Sequence, residues 1–384
     1  MGTGGPADAS ALRADPGRFN HTVHGACGLF AFAVFLFHVV NSGLPAWAAL
    51  REPAVQYLLR TSEFGVELFF CISGYVICGA LRRARDPGAF LTDRAVRIYP
   101  SLWVSILVIV AIGLATGQHG YGTLDRLSLA WLVPTSMAAL PGILPFGNLN
   151  PVGWSLGYEM CFYLFCTGLW AARLRAGARG VALVVPAAAA MMVFYPRALF
   201  LLCGILVAEG FLDSPRLARL IRFPGVWLLA FLCIWRAIQL CSLPRDFTVV
   251  PLFDWAGDRR LPLALLAFIA ATLGFAGLAA GHGLLGRLLR WRVLQYLGTI
   301  SFSFYLWHII VMAGVKMTML HSGLAALAGG AAQIVFLLLT LPLSILVADL
   351  CQRVLERRTG LWLRRRLHHG IPLEFAMPKG SVPG

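Results

Sequence analysis

Three ionisable side chains stand inside strongly apolar runs: His38 in ACGLFAFAVFLFHVV (26–40), Glu159 in WSLGYEMCFYL (154–164) and His308 in LGTISFSFYLWHIIV (297–311). An imidazole in dry surroundings can stay neutral and take a proton from a hydroxyl near neutral pH, with a carboxylate or second imidazole orienting it. The chemistry these residue types point to is general-base catalysis. Ser155, Tyr305 and Trp307 lie beside them and carry donors suited to a developing oxyanion or to holding a substrate, and Ser301 and Ser303 are further donors. The same groups would also satisfy a purely structural hydrogen-bond network. A second constellation is basic. FLTDRAVRIYPSLW (90–103) sets Arg94 and Arg97 three apart on one helical face, a spacing suited to gripping phosphates by bidentate hydrogen bonds. Charge-directed membrane topology alone would also put arginine there.

The elements that must position these groups are membrane helices. The 384-residue chain is 59% hydrophobic and 13% charged, with mean hydropathy +0.75, which excludes an ordinary soluble domain. The net charge of +15 sits in short loops between apolar runs, so it argues for a bilayer and against a nucleic-acid partner. The fold class expected is all-α, a polytopic membrane protein of about ten transmembrane helices in one bundle. Runs suited to spanning fall near 26–43, 64–81, 99–117, 151–171, 180–195, 197–212, 225–243, 261–281, 296–317 and 326–350. The stretch 127–146 is apolar but broken by Pro134, Pro141 and Pro145. If it crossed, Arg173, Arg175, Arg179 and the basic tail would move outside and the charge bias would largely vanish, so it is expected not to cross. Both termini are then cytoplasmic, in a multi-pass protein of the cell (inner or plasma) membrane. The expected organisation is a cytoplasmic tail over 1–24, an integral domain over 25–351 and a basic cytoplasmic tail over 352–384. The nine cysteines form no Cys-x-x-Cys pair, and neither disulfides nor a metal site is expected.

Orientation converts residue numbers into depth. At about 1.5 Å per residue, His38, Glu159 and His308 all fall roughly 18–20 Å above the cytoplasmic edge. A His–Glu–His cluster is the expectation, since Glu159 alone would cost about 2.5–3.5 kcal/mol at a helix centre. Glu67 reads as lying near the outer end of its span, where it could meet an acceptor or pair with an outer arginine.

Several stretches together resemble the integral-membrane acyltransferase 3 family, which includes acyltransferases of O-antigen, exopolysaccharide and nodulation-factor modification. FGVELFFCISGYVI (64–77), FLTDRAVRIYPSLW (90–103), WSLGYEMCFYL (154–164), LGTISFSFYLWHIIV (297–311) and the closing ADLCQRVLER (348–357, around Glu356) are similar to that family's ordered motifs. The resemblance implies transfer of an acyl group from cytoplasmic acyl-CoA, expected to be acetyl-CoA and bound as a substrate rather than as a resident cofactor. The acceptor would be a hydroxyl of a carbohydrate, glycolipid or glycoside. By the same resemblance His38 is the leading catalytic residue, with Glu159 and His308 beside it, and Arg94 and Arg97 hold the donor. One departure stands out: family members commonly carry an arginine eleven residues before the first-span histidine, and here that position is Cys27, with His24 where an aspartate is usual. The competing class, on composition alone, is a transporter or flippase without chemistry, for which buried Glu and His and Pro-broken segments suit equally well.

Overall fold

A computed structural model describes residues 19–116, 126–144, 147–241 and 260–367. Among these residues the chain is helical, without strands. The first helix, α1 (His21–Val40), starts where Asn20 turns its side-chain oxygen onto the free N–H groups of Thr22 and Val23, at 3.0 and 3.2 Å. It therefore begins before residue 26, the expected start of the first span. α2 (Gly65–Arg83) is led in by a shorter helix, Pro53–Thr61, and the two make one apolar stretch of 31 residues. Glu67 falls in the first turn of α2, near the end of its span as expected, and is fully buried there.

α3 (Pro87–Thr116) also differs from its expected start at 99. Pro87 supplies a pre-set first turn, and Asp86 Oδ1 accepts the Ala89 N–H at 2.8 Å, so the helix is nucleated twelve residues early. Arg94 and Arg97 are thus helical, one turn apart, and Pro100 is carried inside the helix. α4 (Arg126–Met137) is 12 residues, about 18 Å at 1.5 Å per residue, and too short to cross the roughly 30 Å of hydrocarbon.

α5 (Trp154–Phe194) is two limbs. At Gly177 the backbone takes φ 55°, ψ −136°, a conformation open to glycine, and the chain reverses. A Cβ on Gly180 would lie 2.4 Å from the Ala172 carbonyl oxygen, whereas a straight helix would separate those residues by about 12 Å. α6 (Leu199–Ala208) follows, then α7 (Pro224–Cys241), α8 (Arg260–Ala279), α9 (Arg292–His321) and α10 (Ala332–Cys351). A π-helical stretch, Gln352–Arg358, joins α10 to α11 (Thr359–Leu367). Eight helices among the described residues are long and apolar enough to cross a membrane. The expected fifth and sixth runs differ from the rest. One is the returning limb of α5, and the other is the 10-residue α6, which spans only about 15 Å.

The packing that matters for function is α1 against α9. A Cβ on Gly28 would sit 2.7 Å from the Leu294 carbonyl oxygen, and one on Gly298 2.2 Å from that of His24. Only glycine allows two backbones to run that close. The contact fixes the two helices in depth, and Phe35 meets Phe304 further along at 5.3 Å between centroids.

Candidate active site

The α1–α9 register brings His38 and His308 together, with ring centroids 5.2 Å apart. His308 is fully buried, between Phe304 (6.1 Å, stacked) and Tyr305 (6.2 Å). Its Nδ1 lies 3.0 Å from the Phe304 carbonyl oxygen one turn back. An oxygen acceptor there assigns the proton to Nδ1, which leaves Nε2 with a lone pair, and Nε2 has no hydrogen-bond partner. His38 is half-buried beside it. One imidazole is locked in orientation and the other is reachable.

Glu159 does not join them. Its carboxylate accepts hydrogen bonds from Ser73 Oγ at 3.1 Å and from the Tyr163 hydroxyl. It faces Arg97 together with Tyr163, Glu356 and Cys27, and Arg94 lies within the same field. Cys27 lies eleven residues before His38 on α1, about 16 Å along the axis. The expected His–Glu–His cluster therefore divides in two: an imidazole pair above, and a chamber with both arginines and Glu159 toward the basic end of α3. Counting residues from the expected span ends placed Glu159 level with the histidines; its neighbours Ser73 and Cys27 place it lower in the bundle.

The lower chamber is polar. Arg97 is surrounded by protein yet open to solvent, and Cys27, Ser73, Arg94, Glu159 and Glu356 are all partly accessible around it. No hydrogen bond or ion pair satisfies the Arg94 or Arg97 guanidinium among the described residues, and Arg94 Nε is buried without a partner. Two cationic forks one turn apart, neither of them in an ion pair, are suited to an anionic ligand.

The remaining expected site residues are committed to the protein. The Ser155 and Tyr305 hydroxyls lie 2.9 Å apart, and each can donate to the Val152 carbonyl oxygen at 3.1 Å. Trp307 Nε1 donates to Ser101 Oγ at 3.2 Å. All three side chains are buried, and Tyr305 also packs against His308 at 6.2 Å between ring centroids. Sequence reasoning passed over Asn150, which is fully buried and donates to Ser105 Oγ at 3.3 Å and to the Leu306 carbonyl at 3.1 Å. Its Asn-Pro context signals only a turn. Of the two alternatives for Glu67, the structure has the pairing with an arginine, Arg197: Nε lies 2.5 Å from Oε1, and the guanidinium sits 4.4 Å from the Trp154 ring centroid. Among the described residues no group of three His, Cys, Asp or Glu could hold a metal ion.

Comparison with known proteins bears on what this arrangement does. The chain is similar to the exopolysaccharide production protein ExoZ of Rhizobium meliloti (strain 1021), 30% identical over 284 residues, covering 68% of this chain and 80% of the relative. It is similar to the acyltransferase MdmB of Streptomyces mycarofaciens, 27% identical over 305 residues, covering 73% of this chain and 76% of the relative. A third relative, nodulation protein 10 of Rhizobium leguminosarum bv. viciae, is 31% identical over 179 residues, covering 40% and 46%. No solved structure matches the chain. The family profile described as an acyltransferase domain, acyltransferase 3, matches residues 22–351, which takes in both the imidazole pair and the arginine chamber. This chain belongs to the acyltransferase 3 family of membrane acyltransferases.

Proposed function

We propose that the protein transfers an acyl group, expected to be acetyl, from a cytoplasmic acyl-CoA to a hydroxyl of a surface carbohydrate, glycolipid or glycoside. The observation that carries this reading is vertical order: an imidazole pair with an open lone pair stands above a solvent-open chamber with two unpaired arginines. The donor's phosphates would lie at Arg94 and Arg97, and the pantetheine arm would run along α1 toward His38. The acceptor hydroxyl gives its proton to His38 as its oxygen attacks the thioester carbonyl. The tetrahedral intermediate then collapses, the C–S bond breaks, and the departing thiolate recovers the proton from His38 as free CoA thiol. His308 holds the His38 ring in place, while Glu159 acts in the lower chamber on the arginines.

His38→Ala tests the base role. At wild-type expression in membranes, CoA release from acetyl-CoA in the presence of acceptor should fall about 10²–10⁴-fold. Near-normal turnover would overturn it. Arg94→Gln and Arg97→Gln should chiefly weaken acetyl-CoA affinity; unchanged affinity in both would remove the donor from this chamber. No observation favours a transporter without chemistry over a member of an acyltransferase family.

A further inference from the structure

The π-helical stretch Gln352–Arg358 is unusual in length and in what it does. A π-helix takes more residues per turn than an α-helix, is rare, and tends to sit where a helix must re-aim a side chain. Here it turns Glu356 off the outward-facing run of Arg353, Arg357 and Arg358, all exposed, and into the bundle. There Ser303, fully buried on α9, donates to Glu356 Oε1 at 2.5 Å. The carboxylate lies in the field of Arg97 without reaching ion-pair distance. The segment beyond is fastened to the same region of α3. Arg364 on α11 pairs with Asp93 at 3.2 Å, the residue next to Arg94, and a Cβ on Gly360 would lie 3.8 Å from Val96 Cγ1.

We infer that Glu356 is a donor-affinity-setting residue: a carboxylate held beside Arg97 by Ser303, which lowers the positive potential that the donor's phosphates meet. The inference rests on the donor reading above. Three facts support it independently of any relative. In the field of Arg94 and Arg97 lie the carboxyl groups of Glu159, Glu356 and Asp93, the last of them paired with Arg364, so the charges of the chamber nearly balance. Of the two glutamates, Glu159 is engaged twice, by Ser73 and Tyr163, whereas Glu356 has one serine partner. And Glu356 lies within a π-helical stretch, with its carboxylate turned inward to Ser303 while Arg353, Arg357 and Arg358 are exposed. A chamber with full positive charge would hold both acyl-CoA and the CoA product tightly. A fixed carboxylate at hydrogen-bonding distance from a serine, and not from the arginine, weakens both without blocking either.

The serine makes the proposal testable with opposite signs. Glu356→Gln keeps an oxygen to accept from Ser303 and removes the charge. Ser303→Ala removes the tether and frees the carboxylate to pair with Arg97 directly. Binding of free CoA to the purified full-length protein, followed by calorimetry, needs no acceptor. Glu356→Gln should tighten CoA several-fold and steepen its salt dependence, and Ser303→Ala should weaken it. A Kd that is unchanged or weaker in Glu356→Gln overturns the inference. So does a Ser303→Ala protein that binds as well as wild type. Arg97→Gln is the reference: if it leaves CoA affinity intact, the donor reading itself has failed. If Arg97→Gln weakens CoA and Glu356→Gln does not tighten it, only the role of Glu356 has. Retained size-exclusion profile and melting temperature in each variant separate these effects from misfolding.

Discussion

His308 spends one nitrogen on the Phe304 carbonyl and keeps the other toward His38, so its value to catalysis lies in orientation rather than in proton capacity. His308→Gln should accordingly lower kcat by about 10–100-fold while leaving acetyl-CoA affinity unchanged, the lower end of what acid–base machinery is worth. Equal loss of donor affinity would show that the ring supports the donor path instead. The buried Glu67–Arg197 pair obeys a different rule. With one partner removed, a desolvated charge is left uncompensated, at a cost of about 3–5 kcal/mol. Glu67→Ala should therefore melt well below wild type in detergent, and the double variant Glu67→Ala/Arg197→Met should recover part of that loss. If the double variant is no better than the single, the pair is not the source of the cost. The relative depth of the two histidines was readable from the sequence, at about 1.5 Å per residue along α1 and α9. That of Glu159 was not: it lies in the field of Cys27, about 16 Å below His38 along α1.

The helices that carry those residues were legible in their existence wherever a long apolar run dominates, as in α1 and α9. They were misjudged where local chemistry competes with hydropathy. Asp86 and Pro87 start α3 well before its apolar part, because a cap and a pre-set φ favour a helix there whatever the hydropathy. The reversal at Gly177 and the π-helix at Gln352–Arg358 leave no trace in hydropathy, since neither changes which residues are apolar. The α1–α9 contact offers the sharpest test at this scale. Replacing Gly298 with valine must push the backbones apart at a point where even a Cβ would lie 2.2 Å from the His24 carbonyl oxygen. The expected outcome is a protein that still inserts in the membrane but has lost activity, because His308 is moved relative to His38. Activity comparable to wild type would show that the imidazole pair does not depend on this crossing.

At the scale of the whole molecule, the two polar regions must face opposite sides of one bilayer for a cytoplasmic donor to serve an acceptor arriving from outside. Cys27 reports on this directly. It stands at the position where relatives in the resembling motif carry arginine, it is half-buried among Arg97 and Glu159, and its thiol is free. A membrane-impermeant maleimide should label Cys27 in inside-out vesicles and not in right-side-out ones, as read by peptide mass spectrometry with Cys27→Ser as the blank. Acetyl-CoA should slow that labelling, because the donor and the reagent would compete for the same chamber. Labelling of Cys27 only from the outer side would invert the orientation derived from loop charge. Labelling from the inner side with no protection by acetyl-CoA would leave the orientation standing and move the donor out of this chamber. The substitution that departs from the family pattern thus becomes the probe for it: an arginine at that position could not be labelled, and a cysteine there removes a cation from the wall the donor passes. Cys27→Arg should for the same reason tighten CoA binding and make it more salt-sensitive, an effect of the same sign as Glu356→Gln and arising on the opposite wall.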